Sequence, residues 1–128
     1  MLHERFLDHF QNPRNVGELP PPAVHVDATN PACGDMLHLS ARFENDRVVE
    51  ARFQTRGCTA SLAASSALTE WMIGKSRADL AALKPMVVEE AVGGLELASK
   101  HAAVLCVDAV KLLLRSNHPI VDRQKENL

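Results

Sequence analysis

The stretch LHLSARFENDRVVEARFQ, residues 37–54, decides the fold, because apolar and polar side chains alternate along it on both sides of Asn45-Asp46. Alternation with a period of two is typical of a strand that has one buried face. A turn pair between two such strands favours a hairpin. A slip of one residue would move every apolar side chain to the wrong face, so the register can be predicted. We expect a three-residue turn and the pairs Phe43–Val49, Ala41–Ala51 and Leu39–Phe53.

In that register the hairpin brings two glycine-containing turns to one end of the sheet. The turns are NPACGD, residues 30–35, and RGCTAS, residues 56–61. Asp35 then lies opposite Gly57, which leaves space there, and Cys33 lies beside Cys58. Cys58 also precedes a predicted helix, whose first N–H groups stabilise a thiolate. Thiolates with a carboxylate suit zinc or an iron–sulfur centre. The two turns therefore predict a metal or cluster site, and their spacing does not choose between the two.

The other elements follow from periodicity and from helix start and stop signals. We predict an amphipathic helix over residues 2–10, followed by a linker, so that residues 1–20 form an N-terminal helix and linker. Further along the chain, the patterns predict a short strand at Val24–Val26, helices over 60–73, from Ser76, from Pro85 and over 96–115, and a frayed tail over 122–128. The order of helix, three strands and helices predicts an α+β fold in a single domain, residues 1–128. Its three-stranded antiparallel sheet is covered on one face by helices.

Composition narrows the class of protein. The chain is 46% apolar and 23% charged, with a net charge of −2. It has no basic run, and four Phe with one Trp and no Tyr provide few platforms for base stacking, so we expect no nucleic acid partner. No stretch is long and apolar enough for a membrane span, and charges near the N-terminus argue against a signal peptide. We therefore expect a cytoplasmic protein whose three cysteines serve metal binding or thiol chemistry.

The remaining cysteine and the histidines have weaker signals. His101 follows Lys100 near the start of the last predicted helix, where it is a candidate ligand. Cys106 lies on the apolar stripe of the same helix, which favours a buried, inert thiol. The other histidines show no ligand spacing among themselves, and we interpret them as surface or turn residues: His3, His9, His25, His38 and His118.

Several motifs in order make a family resemblance specific. The chain contains DHFQNPRNVG at residues 8–17, NPACGD at 30–35, GCTAS at 57–61 and DAVK at 108–111. With these motifs it resembles the IscU/NifU-type iron–sulfur cluster assembly scaffold family over nearly its full length. The resemblance implies a carrier and not an enzyme. Such a carrier receives sulfur from a cysteine desulfurase and iron from an iron donor, builds a [2Fe–2S] cluster and passes it to apo acceptor proteins.

The resemblance also implies which residues hold the cluster. Cys33, Asp35 and Cys58 take the positions of the family's first cysteine, its aspartate and its second cysteine, and His101 takes the position of its histidine. Ala102 stands where the family has a third cysteine. We therefore expect a site with two thiolates, with Cys106, one helical turn further on, as a less favoured ligand. Gly34, Gly57, Lys100 and Ala102 are expected near the site.

The family resemblance leaves two alternative functions open and shows that one partner motif of the family is missing. One alternative is the role of the zinc-dependent SufU-type relatives, which take up sulfur, but the insertion that they carry before the last helix has no room between Gly74 and His101. A member whose zinc only stabilises the fold is the other alternative, so Zn²⁺ is expected as a possible ion of the isolated protein. Residues 95–100, LELASK, lack the motif that a dedicated DnaK-type chaperone recognises, and recognition by that chaperone is doubtful.

Overall fold

A computed structural model describes residues 3–31 and 34–116, and within them it shows helices packed on one antiparallel sheet. The sheet has three strands in the order β1-β2-β3, which confirms the predicted α+β fold. The elements are α1 (Glu4–Gln11), β1 (Val24–Thr29), β2 (Met36–Glu44), β3 (Arg47–Arg56), α2 (Thr59–Met72), α3 (Arg77–Ala81), α4 (Pro85–Ala91), a 3₁₀ turn (Leu97–Ser99) and α5 (His101–Ser116).

The hairpin register is confirmed over most of its length. Leu39 pairs with Phe53 and Ala41 with Ala51, as the alternation predicts. The prediction is wrong near the turn, where Phe43 pairs with Val48 and a bulge interrupts the ladder. The bulge lets Val48 point into the core with 1% of its surface exposed. It also shortens the connection to two residues, Asn45-Asp46, both of which have left-handed backbone.

Helix α2 is the central helix of the helical layer. It packs against β3, α5, α1 and α4, and nearly its whole circumference is buried. Its buried side chains are mostly alanine and serine, which are small enough to allow close approach on several sides at once. Helix α5 lies on β1 and β2 and completes the cover on the same face of the sheet.

The linker after α1 is attached to the free edge of β3. The Gly17 N–H donates to the Phe53 carbonyl at 2.8 Å, and the Phe53 N–H donates to the Asn15 carbonyl at 2.9 Å. Leu19, further along, is 5% exposed, and its N–H donates to the Ser40 hydroxyl on the sheet face opposite the helices. The linker therefore protects an edge strand and part of that face.

The helix ends differ modestly from the prediction. The capping box at Ser76 and the proline start at Pro85 are confirmed. The last helix begins later than residue 96, because the 3₁₀ turn precedes it, and His101 is its first residue. The predicted tail, 122–128, lies outside the described residues. Among the described helices, none is long and apolar enough to cross a membrane.

Candidate metal and cluster site

Three of the four predicted site residues meet at one end of the sheet. The ligand atoms of Asp35, Cys58 and His101 all lie within 4.8 Å of one another. The Cys58 thiol donates to Asp35 Oδ2 at 3.3 Å, and its Sγ lies 3.6 Å from His101 Nε2. Asp35 Oδ2 lies 3.4 Å from the same ring nitrogen. The residues come from the turn before β2, the residue before α2 and the first residue of α5, so three elements must pack correctly to form the group.

Asp35 is a buried carboxylate that is held in its charged form. Only 5% of its surface is exposed. Burial alone would raise the pKa of Asp35, but hydrogen bonds from the Ser61 hydroxyl and from the thiol and backbone N–H of Cys58 outweigh it, and the pKa is lowered. The Ser61 hydroxyl, itself buried, donates to Asp35 Oδ2 at 2.5 Å. An anionic oxygen is thus kept ready for a cation.

Gly57 provides the space that this carboxylate occupies. A Cβ placed on Gly57 would lie 2.5 Å from Asp35 Oδ1, too close for any real contact. The glycine also has φ +154°, a backbone conformation that side chains disfavour. The prediction that Asp35 lies opposite Gly57 is confirmed, because β2 and β3 keep their register up to the pair Met36–Arg56 next to them.

His101 is oriented by the 3₁₀ turn that precedes it. Its Nδ1 lies 3.1 Å from the Ala98 carbonyl, an oxygen that can only accept, so Nδ1 carries the hydrogen. In the neutral ring the lone pair is then on Nε2, the nitrogen that faces Cys58 and Asp35. A backbone carbonyl that fixes the tautomer in this way is the usual support of a metal-binding histidine.

Cys58 occupies the N-cap position of α2 and is exposed. Its backbone carbonyl accepts from the N–H groups of Ser61 and Leu62 in the first turn. The side chain therefore combines a soft ligand with access from solvent.

The remaining predicted residues are chain neighbours of this group or lie outside the described range. Cys33 lies outside the described residues, and its role stays a prediction. Gly34 is exposed with φ +78°, and its N–H donates to the Asn30 carbonyl, which closes the turn before Asp35. Lys100 forms an ion pair with Glu89 at 2.7 Å, so its ammonium group is held by α4.

Ala102 and Cys106 belong to the core. They are 0% and 1% exposed, respectively. Burial raises the pKa of Cys106 to about 12, against a smaller opposite effect of a hydrogen bond with Ser65. Among the described residues, Cys106 is not in the group of converging ligand atoms. The expectation of an inert thiol agrees with this position.

Among the described histidines, the interpretation as surface or turn residues is wrong for His9. His9 is 6% exposed, and its Nδ1 lies 2.8 Å from the Ser66 hydroxyl. His25 and His38 lie on neighbouring strands and form a second group of potential ligands with Glu18. Spacing along the chain gives no sign of this group. The strand register could have revealed it, because Asp27 pairs with His38 and brings His25 within reach. His118 lies outside the described residues.

Comparison with known proteins gives the family. A model of the NifU-like N terminal domain matches residues 1–118. The chain is 36% identical over 111 residues to the iron–sulfur cluster assembly scaffold protein IscU 1 of Archaeoglobus fulgidus, covering 87% of this chain and 72% of that protein. It is 37% identical over 112 residues to the scaffold protein IscU of Escherichia coli (strain K12), covering 84% of this chain and 87% of that protein.

A solved structure supports the same fold. The N-terminal NifU-like protein of Brucella abortus superposes with a TM-score of 0.71 at 20% identity, covering 89% of this chain and 92% of that one. The family model spans nearly the whole chain, and both relatives exceed a third in identity over most of their own length. The chain therefore belongs to the IscU/NifU-type family of iron–sulfur cluster assembly scaffolds.

Proposed function

We propose that this protein is a scaffold on which [2Fe–2S] clusters are assembled and from which they are transferred. The observation that carries the proposal is the convergence of a thiol, a carboxylate and an imidazole from three separate elements. This donor set suits iron–sulfur centres and zinc. The scaffold names of the relatives support the same role, which is that of a carrier and not of an enzyme.

The cluster is the cargo of the scaffold, and each site residue would bind it with a different type of ligand atom. Cys58 supplies one thiolate, and Cys33 supplies the second in our proposal. His101 Nε2 offers a lone pair in a fixed direction because Ala98 holds the other ring nitrogen. Asp35 contributes an oxygen, a weaker ligand for iron than sulfur. An oxygen ligand among thiolates makes the cluster easier to release, as a carrier requires.

The partners follow from this role. A cysteine desulfurase supplies sulfur, an iron donor supplies iron, and apo iron–sulfur proteins accept the finished cluster. We place the activity in the cytoplasm, because the thiolate ligands must stay reduced. A DnaK-type chaperone is not among the partners that we propose.

Anaerobic reconstitution tests the proposal. The purified chain is incubated with ferrous iron, cysteine, a desulfurase and a dithiol reductant that converts the persulfide sulfur to sulfide, and the visible spectrum and the iron and sulfide content are measured. We expect sulfur-to-iron absorption in the wild type and in Cys106→Ser, the matched control that removes a thiol outside the site. We expect its loss in Cys58→Ser. A wild-type chain that stays colourless, while its metal site is intact by zinc titration, would contradict the scaffold role.

A zinc-bound sulfur acceptor is the second candidate, favoured by the exposure of Cys58 beside donors that zinc accepts. Bound zinc would keep Cys58 as a thiolate that can take sulfur from the desulfurase. In the same experiment, faster desulfurase turnover by the zinc form without cluster formation would favour this role. A purely structural zinc would instead lower the melting temperature on chelation and leave desulfurase turnover unchanged.

A further inference from the structure

We propose that Glu18, His25 and His38 form a second binding site, for a divalent first-row transition-metal ion, on the sheet face opposite the helices. One ligand atom of each residue lies within 4.8 Å of the other two. Two imidazoles and a carboxylate are a donor set that such ions prefer, whereas calcium and magnesium prefer oxygen alone. The site is independent of the cluster-scaffold role and of the residues that carry it.

The three ligands come from different segments that the sheet register brings together. Glu18 lies in the linker, His25 on β1 and His38 on β2. His38 Nε2 lies 3.0 Å from His25 Nδ1 and 3.1 Å from Glu18 Oε1. His25 and His38 are diagonal neighbours on one sheet face, a distance that long side chains can bridge. The ligand atoms are thus positioned by the backbone pairing that forms the fold.

The hydrogen bonding of His38 leaves a place for a cation. Its Nδ1 lies 2.8 Å from Asp27 Oδ1, and a carboxylate oxygen accepts, so this nitrogen carries the hydrogen. In the neutral ring Nε2 has a lone pair, and that lone pair faces the Glu18 carboxylate at 3.1 Å. A positive ion at this point would turn the repulsion between the lone pair and the carboxylate into attraction, and His25 Nδ1 lies 3.0 Å from the same nitrogen of His38. A metal ion there would be bound by Glu18, His38 and His25 at once, with Asp27 in the orienting role that supports many metal-binding histidines.

The second site lies on the other side of the sheet from the first. Side chains alternate along β2, and Leu37 and Leu39 face the helices with 0% exposure. Asp35 is an even number of residues from Leu37 and Leu39, and His38 is an odd number away. The group around Asp35 and the group around His38 therefore lie on opposite faces of the sheet. Glu18 and His25 are exposed, and the site is open to solvent. An ion held there would fasten the linker to β1 and β2.

Cobalt(II) titration separates the two sites by their spectra. Thiolate-bound cobalt shows an intense sulfur-to-metal band, and cobalt bound by nitrogen and oxygen shows only weak visible bands. We expect the wild type to bind one equivalent with the sulfur band and a second without it. His38→Gln should lose only the second equivalent. Cys58→Ser should lose the sulfur band and keep the second equivalent, which makes failure of either site distinguishable from failure of the other.

Two further variants test the geometry. Asp27→Asn removes the orienting charge, and we expect affinity at the second site to fall about tenfold or more, as for other orienting partners of metal ligands. His3→Asn is the matched control: it removes an exposed histidine elsewhere and keeps a good helix cap, so both equivalents should remain. Absence of a second equivalent in the wild type, or its persistence in His38→Gln, would overturn the proposal.

Discussion

Gly57 has no side chain, and the Asp35 carboxylate occupies the space where one would lie. We expect Gly57→Ala to displace this carboxylate and to weaken zinc binding, measured by competition with a chelating dye. The change should also lower the free energy of unfolding by roughly 1–2 kcal/mol, the cost of an alanine in left-handed backbone.

Gly74 offers a matched control for that substitution. It also has a positive φ, +92°, but a Cβ there would meet nothing within 4 Å. Gly74→Ala should therefore show a similar loss of stability with unchanged zinc affinity. Equal zinc affinities in both variants would show that Asp35 does not contribute to metal binding.

Ser61 is a residue to which sequence reasoning assigned no role. Its hydroxyl donates to Asp35 and orients the oxygen that faces Cys58 and His101. We expect Ser61→Ala to reduce zinc affinity about tenfold, as for other orienting partners of metal ligands. Ser65→Ala, one turn further along α2, removes another buried hydroxyl and should leave zinc affinity unchanged.

Cys106 should be inert in the folded protein. Burial raises its pKa to about 12, so very little thiolate exists at neutral pH. With iodoacetamide at pH 8 we expect rapid modification of Cys58 and modification of Cys106 only after unfolding, followed by peptide mass spectrometry. Similar rates at both residues in the native protein would contradict the buried position.

At the scale of elements, the hairpin turn allows a direct test. Asn45 and Asp46 have φ of 53° and 66°, the signs that a two-residue type I′ turn requires. Asn45→Ala should lower the free energy of unfolding by about 1 kcal/mol, because alanine is less tolerant of this conformation than asparagine. Asp46→Gly should raise it, since its exposed ion pair with Arg77 contributes little. Urea denaturation measures both changes, and a turn that is insensitive to both would argue against this geometry.

Most elements could be predicted from local patterns, and the exceptions have a physical cause. Alternation determined the register at Leu39 and Ala41, where one face must be buried. It could not reveal the bulge, because Val48 and Val49 are equally apolar and only packing selects Val48 for the core. The pairing of the linker with the edge of β3 could not be predicted either. It is formed by backbone hydrogen bonds at Asn15 and Gly17, which do not require any particular side-chain pattern.

At the scale of the whole molecule, His9 links stability to pH. Burial, together with the nearby Arg14, lowers the pKa of His9 from the ordinary 6.5. At pH values between the lowered pKa and 6.5, His9 is protonated in the unfolded chain and neutral in the folded chain. Lowering the pH through this range therefore stabilises the unfolded state. The contribution is fully present above pH 6.5 and is lost as pH falls towards the folded pKa. We expect the free energy of unfolding to decline less between pH 7.5 and 5 in His9→Gln than in the wild type, and equal declines would contradict this assignment.

The candidate site was predictable where its residues lie close to the hairpin. The register alone brought Asp35 to Gly57 and its neighbour Cys58. His101 was only a weak candidate from its place in the sequence and became an expected ligand through the family resemblance, because its position depends on how α5 docks on the sheet. The histidine pair on the outer face was missed for a related reason, as ligand spacing along the chain does not reveal neighbours across strands.

The separation of the site residues along the chain has a consequence for protein synthesis. Asp35 lies 23 residues before Cys58, and Cys58 lies 43 residues before His101. The carboxylate and the thiol therefore leave the ribosome well before the imidazole, which arrives with the helix that covers β1 and β2. A product of interrupted translation that ends before His101 lacks both a donor and that cover. We therefore expect such a fragment not to retain a cluster, so that assembly begins only once the last helix has been made.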